Sequence, residues 1–300
     1  MCRISILIPT YAFAPLRLVG ELADMCTASP LCDDYEISVI DDGSGDTKTI
    51  AQAEAINRLP HCSFTALPHH LGKSALLNRA AAAAKYPLLL LVDSDARMYS
   101  PQLITTYLKT ARANPAAVIC GGVHTSPQSA TPDNRLRFRY EMAAAARNKD
   151  CRRRQHPYSR FTTFNVMLQK KLLSDIPFNE DLRSYGYEDT MFGLQLRQHG
   201  IPVIHIDNPL IHTGIDNNAS FLAKTETALR NLSKLDAVYQ QSITVSAVAM
   251  QIRRFGLAAF FRVLHTLFRG CERRNLLGKH PNLLLFKLYK IGYFLSLTKR

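Results

Sequence analysis

Tryptophan is missing altogether from the 300 residues, and acidic side chains all but vanish toward the carboxyl end. No apolar run reaches the ~18 residues that a membrane-spanning helix needs. The seven cysteines stand at 2, 26, 32, 62, 120, 151 and 271, an odd and scattered set without a Cys-x-x-Cys pair. That argues against a disulfide framework and against a zinc site, and it predicts reduced thiols. Lys73-Ser74 lacks the upstream glycine of Gly-x-x-x-x-Gly-Lys-Ser, so it is not a P-loop. Internal repeats and low-complexity tracts are lacking too. The first residues run straight into Ile4-Ser5-Ile6-Leu7-Ile8 without the basic and long apolar regions of a secretion signal. A cytoplasmic protein is expected.

What is present is a chain with 47% hydrophobic and 20% charged residues, globular and long enough for a sizeable core. The net charge of +13 is unevenly spread. Residues 1–134 hold ten Lys and Arg against twelve Asp and Glu, whereas residues 251–300 hold eleven against one. A basic end on a near-neutral first half predicts attraction to an anionic surface. No RNA-binding aromatic signature accompanies it, so a membrane surface is the expected partner and nucleic acid is not.

Strands and helices alternate from the start. Ile4–Ile8, Glu36–Ile40, Ser63–Leu67 and Leu88–Val92 read as strands, separated by helical stretches over 14–29 and 47–57 and by a loop at 69–74 that opens an alanine-rich helix running to about 85. This is the pattern of a parallel sheet with helices on its faces. A further helix runs from Pro101 to Ala113, and Val118 to Val123 reads as one strand. Residues 125–134 form a loop and a plausible internal boundary, 135–147 a basic helix and 151–160 a basic loop. Strands follow at 164–168 and 203–206, with a loop at 181–187, a helix at 188–199 and mostly helix after 218.

The chemistry gathers at strand ends. Leu88-Leu89-Leu90-Leu91-Val92 runs into Asp93-Ser94-Asp95, and an unbroken apolar strand of that kind is buried on both faces. Ligands of open α/β sheets sit at the carboxyl ends of such strands. Asp93 and Asp95 at period 2 point to one side if the strand continues, and they repel unless a cation or donor lies between them. The alternative is a polar turn that caps the next helix. Two other strands end in ligand-like groups, Pro9-Thr10-Tyr11 and Asp41-Asp42-Gly43-Ser44. Tyr11 offers an aromatic face and Asp41 a carboxylate for ring N–H groups, which suits a pyrimidine-like base. Asp93 and Asp95 suit a ribose hydroxyl and a hydrated divalent cation on a diphosphate.

The order Ile-Pro-Thr-Tyr, Ile-Asp-Asp-Gly-Ser, Gly-Lys-Ser-x-x-x-Asn, Leu-x-x-Val-Asp-Ser-Asp and Tyr-Glu-Asp resembles the family 2 glycosyltransferases, over roughly residues 1–215. The resemblance implies a GT-A fold, an α/β architecture whose Rossmann-like, mostly parallel sheet is flanked by helices. Residues 1–215 would form the catalytic domain, with 1–124 as its nucleotide-binding half and 125–215 as its acceptor-side half. Residues 216–300 would be a basic helical extension. The implied reaction is inverting transfer from a nucleotide-diphospho-sugar, usually a UDP-sugar, with Mn²⁺ or Mg²⁺, to a glycan or lipid-linked acceptor. Pro9, Thr10 and Tyr11 would hold the base, Asp41 would bind its ring N–H, and Asp42 would lie beside it. Lys73 would approach the base or diphosphate, Asp93 the ribose, and Asp95 the metal. Asp189 of Glu188-Asp189 matches the general base, at a helix start whose dipole favours a carboxylate. His212 resembles a downstream metal or phosphate contact.

Departures from the resemblance carry information as well. Processive members have a Gln-x-x-Arg-Trp motif and several membrane helices, and neither is found here, so single-sugar addition is expected. Arg152-Arg153-Arg154 reads as a grip for an anionic acceptor or lipid head group, or as a solvated loop. Arg253–Leu264 and Leu283–Leu297 mix bulky apolar residues with cations. They fit an interfacial helix pair on anionic lipid at the inner face of the plasma membrane, or a packed helical subdomain. The competing functions are a nucleotide-sugar-binding or membrane scaffold subunit, and a nucleotidyltransferase making the sugar donor.

Overall fold

The computed structural model describes residues 2–145, 148–181 and 186–298. Its strands are β1 (Cys2–Thr10), β2 (Cys32–Asp41), β3 (Cys62–Ala66), β4 (Leu88–Val92), β5 (Ala96–Met98), β6 (Val118–Cys120), β7 (Val123–Thr125), β8 (Asn165–Gln169), β9 (Val203–His205) and β10 (Leu210–His212). The helices that matter below are α1 (Leu16–Ala28), α2 (Lys73–Ala83), α3 (Leu103–Ala113), α4 (Arg135–Ala145), α5 (Asp150–Gln155), α6 (Glu188–Gln198), α7 (Asn218–Leu232), α8 (Thr244–Arg254), α9 (Ala258–Leu277) and α10 (Leu283–Leu297). Residues 182–185 of the loop expected at 181–187, and residues 146 and 147 of the expected basic helix, lie outside the described residues.

The chain divides into two compact units. The first spans 1–126, 145–183 and 188–214 and is built on a sheet in the order β3-β2-β1-β4-β8-β6-β9. Strand β8 runs antiparallel to β4 and β6, while the other pairings are parallel. The mostly parallel sheet flanked by helices is therefore as expected. All five residues of β4 are buried, and the pleat divides them. Leu88, Leu90 and Val92 face α1 and α3 together with Ile4, Ile6 and Ile8 of β1. Leu89 and Leu91 face Leu77, Ala80 and Ala81 of α2 and Phe192 of α6. Burial on both faces explains the unbroken run, since neither side needs a polar residue.

The segment 118–123, read as one strand, is in fact two strands in two sheets. Gly121 and Gly122 break it, Gly122 at φ +101°, and β7 turns away to join β10 and β5 in a small second sheet. A Cβ on Gly122 would stand 2.6 Å from the Arg153 guanidinium, so the chain bends where a buried cation needs room. The segment 151–160, read as a basic loop, begins with the helix α5, and its Arg153 is buried. That guanidinium donates to the carbonyls of Asn148 (2.9 Å), Cys120 (3.2 Å), Gly121 (3.0 Å) and Ile206 (2.8 Å) and to Nδ1 of His205 (2.9 Å). It neither grips an anion nor meets solvent: Arg153 ties the broken strand to β9. Burial pushes the His205 pKa down to about 4, with Arg153 and Arg154 adding to the shift against a hydrogen bond to the Pro157 carbonyl. The ring is neutral and its Nδ1 lone pair is free to accept.

The second unit spans 127–144, 184–187 and 215–300. Helix α4, placed by sequence with the acceptor-side half, belongs here instead: Leu136 is fully buried among Phe221, Leu222, Leu276, Phe286 and Tyr289. The Asn218 side chain accepts from the Leu136 amide at 2.7 Å and donates to the Gly278 carbonyl at 3.1 Å, closing polar gaps at two helix ends. A neighbouring cluster joins Leu229, Leu232, Ile243, Ala249, Tyr293, Phe294 and Leu295. Helix α10, read as one of two interfacial helices, thus supplies the core of this unit.

Candidate active site

Three strand ends of the first unit meet at one edge. Thr10 of β1 is the register partner of Asp41 of β2, and β4 runs alongside β1 with Leu7 opposite Leu91. The chain leaves β4 into Asp93, whose amide donates to the Phe164 carbonyl at 3.1 Å just before β8. Pro9-Thr10-Tyr11, Asp41-Asp42, Asp93–Asp95 and the approach to β8 therefore share an edge, where parallel sheets bind ligands.

The two sequential aspartates hold loops. Asp41 is fully buried, its Oδ1 accepting from the Ala12 amide at 3.1 Å and its Oδ2 from the Ser44 amide at 2.8 Å. Asp42 accepts from the amides of Leu71 (2.8 Å) and Gly72 (3.0 Å) and pairs with His70 at 2.9 Å. The two carboxylates fix the loop after β1, the loop after β2 and the entry to α2 relative to one another. The Thr10 hydroxyl donates to the Phe13 carbonyl at 2.7 Å. Tyr11 stays open, 59% exposed, with its ring edge-on to His70 at 5.5 Å, and Pro9 is half-buried beneath it.

Lys73 opens α2 and reaches both Asp93 oxygens, at 2.7 and 2.9 Å. Burial works against the ammonium, but Asp93, Asp189 and Glu188 outweigh it and hold the Lys73 pKa above the ordinary lysine value. Burial also pushes the Asp93 carboxyl up; Lys73 opposes this, while Asp95 and Asp189 add to the push. One lysine serves several carboxylates. The cluster keeps an excess of negative charge, which a bound cation would balance.

Asp95 and His212 lie 117 residues apart in sequence and meet through the small sheet. β5 follows Asp95 at once and pairs antiparallel with β10, placing Ala96 opposite His212. His212 Nε2 then lies 3.2 Å from Asp95 Oδ2, and its ring packs edge-on against Phe164 at 5.5 Å. Burial alone would raise the Asp95 carboxyl; the hydrogen bond and charge of His212, with Lys73 behind, hold it below the usual range. Gly214 completes the arrangement. A Cβ there would stand 2.1 Å from Asp95 Oδ2, so only glycine lets the chain pass over this carboxylate.

Glu188 and Asp189 begin α6, and the Thr163 hydroxyl donates to Asp189 Oδ1 at 2.7 Å. Thr163 is almost fully buried, so it holds one carboxylate oxygen while Asp189 itself stays partly open. The structure thus brings Lys73, Asp93, Asp95, His212 and Asp189 within reach of one another's charge, and gives Asp41 and Asp42 to the loops. Sequence reasoning did not single out Thr163 or Gly214, and it read His69-His70 as a loop without matching acids, whereas His70 pairs with Asp42. A hydroxyl two residues before a strand and a glycine after one carry no signal until their partners are known.

The donor set fits a divalent cation delivered with a phosphate ligand. Among the described residues no group of three or more His, Cys, Asp or Glu side chains converges on one point. A carboxylate oxygen and an imidazole nitrogen 3.2 Å apart do match two adjacent ligands, which lie about 3 Å apart on a cation bound at about 2.1 Å. Such ions keep waters and take their remaining ligands from substrate phosphates.

Residues 5–176 match the model of glycosyl transferase family 2. Validoxylamine A glucosyltransferase from Streptomyces hygroscopicus subsp. jinggangensis is 29% identical over 227 residues, covering 67% of this chain and 52% of that one. Its counterpart from subsp. limoneus is 28% identical over the same length, with 67% and 49% covered. The chain spans about half the length of these curated relatives. Among solved structures, S. aureus TarS 1–349 in complex with UDP-GlcNAc superposes with a TM-score of 0.54 at 15% identity, covering 99% of this chain and 91% of that one. The mannosyltransferase PcManGT from Pyrobaculum calidifontis, in complex with GDP-Man and Mn²⁺, gives 0.54 at 14% identity, with 99% and 86% covered. At such identities the likeness is one of fold.

Proposed function

The chain belongs to glycosyl transferase family 2, and on that premise we propose that it transfers one sugar from a UDP-sugar to a hydroxyl of a glycan or lipid-linked acceptor, with inversion. The observation that carries the proposal is the cluster at the β4 end, where one lysine faces Asp93, Asp189 and Glu188 beside the Asp95–His212 pair. The exposed Tyr11 ring, just past Pro9 and Thr10 at the end of β1, stacks on the base. Asp41 and Asp42 act by fixing the loops that shape this pocket; a direct contact of Asp41 with the base needs the Ala12 loop to open. Asp93 takes a ribose hydroxyl, and Lys73 lies against the diphosphate.

Asp95 and His212 would hold Mn²⁺ or Mg²⁺, which when bound stabilises the charge of the departing diphosphate. Asp189, steadied by Thr163, accepts the proton of the acceptor hydroxyl. The acceptor oxygen forms its bond to the anomeric carbon on the face opposite the diphosphate, and the bond from that carbon to the diphosphate oxygen breaks with its electron pair. One displacement inverts the centre, and no covalent enzyme intermediate is needed.

The test is UDP release from a panel of UDP-sugars and glycan acceptors with Mn²⁺ present, comparing wild type with Asp95→Asn and Asp189→Asn. Both substitutions should cost at least about a hundredfold in kcat. Wild-type turnover in both would defeat the assignment. Release of pyrophosphate from a nucleoside triphosphate and a sugar phosphate would favour the nucleotidyltransferase instead.

A further inference from the structure

Helix α9 carries bulky apolar residues on its outward side, an unusual property for a helix on a protein surface. Its inner side carries His265, Glu272 and Leu276, all buried, with the His265 ring edge-on to Tyr289 of α10 at 5.2 Å. At 100° per residue, positions 260, 263, 267, 270 and 274 lie opposite His265. Phe260 is 59% exposed, Val263 57% and Leu267 71%, and Phe255 in the turn just before the helix is 75% exposed. This ridge continues into a shallow groove lined by Arg262, Val263, Thr266, Leu267 and Ser296.

Cations surround the ridge. Arg254 and Arg274 are exposed and Arg262 is partly so, while Arg269 lies on the His265 side with its guanidinium 5.7 Å from the Tyr293 ring centre. Residues 251–300 hold a single acid, Glu272, which is buried and bonded to His265 at 2.8 Å. A second copy of this face would bring arginine against arginine, and a neutral apolar partner would leave the arginines without counter-charge. An anionic lipid surface answers both, because it takes the apolar side chains between acyl chains and the arginines among phosphates.

We propose that the outward face of α9, with the turn before it, docks the protein on anionic lipid. The contact lies in the plane of the bilayer interface; among the described residues no helix is long and apolar enough to cross a membrane. The surface is narrower than the two segments picked out by sequence, since α10 turns Phe286, Tyr289, Tyr293, Phe294 and Leu295 inward. Its occupant goes beyond the proposed reaction and does not depend on it.

Vesicle flotation of the full chain tests the proposal without reference to activity. Vesicles of phosphatidylcholine containing about one third phosphatidylglycerol should capture the protein, while phosphatidylcholine alone and high salt should release it. The double variant Phe260→Ser/Leu267→Ser should lower the partition coefficient about tenfold or more. Arg254→Glu/Arg274→Glu should lower it by a similar factor. Both pairs are solvent-facing, so thermal melting should be unchanged and loss of fold is read separately. Failure of wild type to float with anionic vesicles, or undiminished flotation of both variants, overturns the proposal. So does a wild-type dimer in light scattering that becomes monomeric in Phe260→Ser/Leu267→Ser, because a second copy would then cover the face.

Discussion

Gly214→Ala tests the metal-binding geometry through a residue that would never itself touch a ligand. The new methyl would stand 2.1 Å from Asp95 Oδ2 and 2.7 Å from both its Cβ and Cγ. Rotation about χ1 can swing the oxygen away, but the Asp95 Cβ stays at 2.7 Å, against about 3.4 Å for ordinary carbon contact. The two backbones must separate by about 0.7 Å. They are held by the Thr213 amide and hydroxyl, which donate to the Asp95 carbonyl at 3.0 and 2.6 Å. A misplacement approaching 1 Å at a reacting centre costs about a hundredfold in rate, or about 2.7 kcal/mol of barrier. Stability should suffer little, because Gly214 is exposed and only one or two hydrogen bonds of about 1 kcal/mol each are strained. A melting shift of at most about 8 °C follows for a unit of this size. The assay is initial-rate UDP release across a Mn²⁺ titration; kcat should fall about a hundredfold and the Mn²⁺ requirement should rise. If the effect runs through Asp95, then Gly214→Ala/Asp95→Ala should be no slower than Asp95→Ala alone. Wild-type rate and metal dependence in Gly214→Ala, or multiplicative losses in the double variant, would refute the reasoning.

Further outcomes rest on other contacts of the same unit. Thr163→Val removes the donor to Asp189 Oδ1 without changing side-chain volume, and should lower kcat about tenfold while leaving the donor KM near wild type; Thr163→Ser should restore the rate. Arg153→Met removes five hydrogen bonds, to four carbonyls and the His205 nitrogen, although the Cys120 and Gly121 carbonyls keep the amides of Ile206 and Asn208, and should cost about 3–5 kcal/mol. At about 2–4 °C per kcal/mol, thermal melting should fall by roughly 6–20 °C, whereas a solvated arginine would change nothing. The buried His205, with its pKa pushed down to about 4, binds its proton less readily folded than unfolded. Stability is therefore whole above the unfolded value near 6.5 and declines as pH falls from there toward about 4. That decline should amount to about 3 kcal/mol, be read by denaturant titration at pH 7, 5.5 and 4.5, and shrink in His205→Gln.

Local pattern was enough for the skeleton of the first unit and for the chemistry of its strand ends. The Leu88–Val92 run declared a strand buried on both faces because each neighbour along it faces a different apolar layer. The alternation with helices implied parallel pairing, and parallel pairing brings Thr10, Asp41 and Asp93 to one edge without further information. Burial and hydrogen bonding then divided the labour. Asp41 and Asp42 look alike in sequence to Asp93 and Asp95, yet backbone amides occupy the first pair while Lys73 and His212 face the second.

Tertiary structure alone decided the rest. β5 is Ala-Arg-Met, three residues with no period to read, and its pairing with β10 is what carries His212 to Asp95. Arg152, Arg153 and Arg154 form a uniform basic run, but the bend at Gly122 opens a buried slot for Arg153. α9 and α10 both mix bulky apolar residues with cations, and only packing shows that α10 turns Phe286, Tyr289 and Phe294 inward while α9 leaves Phe260, Val263 and Leu267 in solvent. The physical reason is common to all three. Propensity and periodicity act between neighbours a few residues apart, so sequence fixes what an element is and which of its faces is apolar. Which group meets which partner, across tens of residues or more, is settled only when the elements pack.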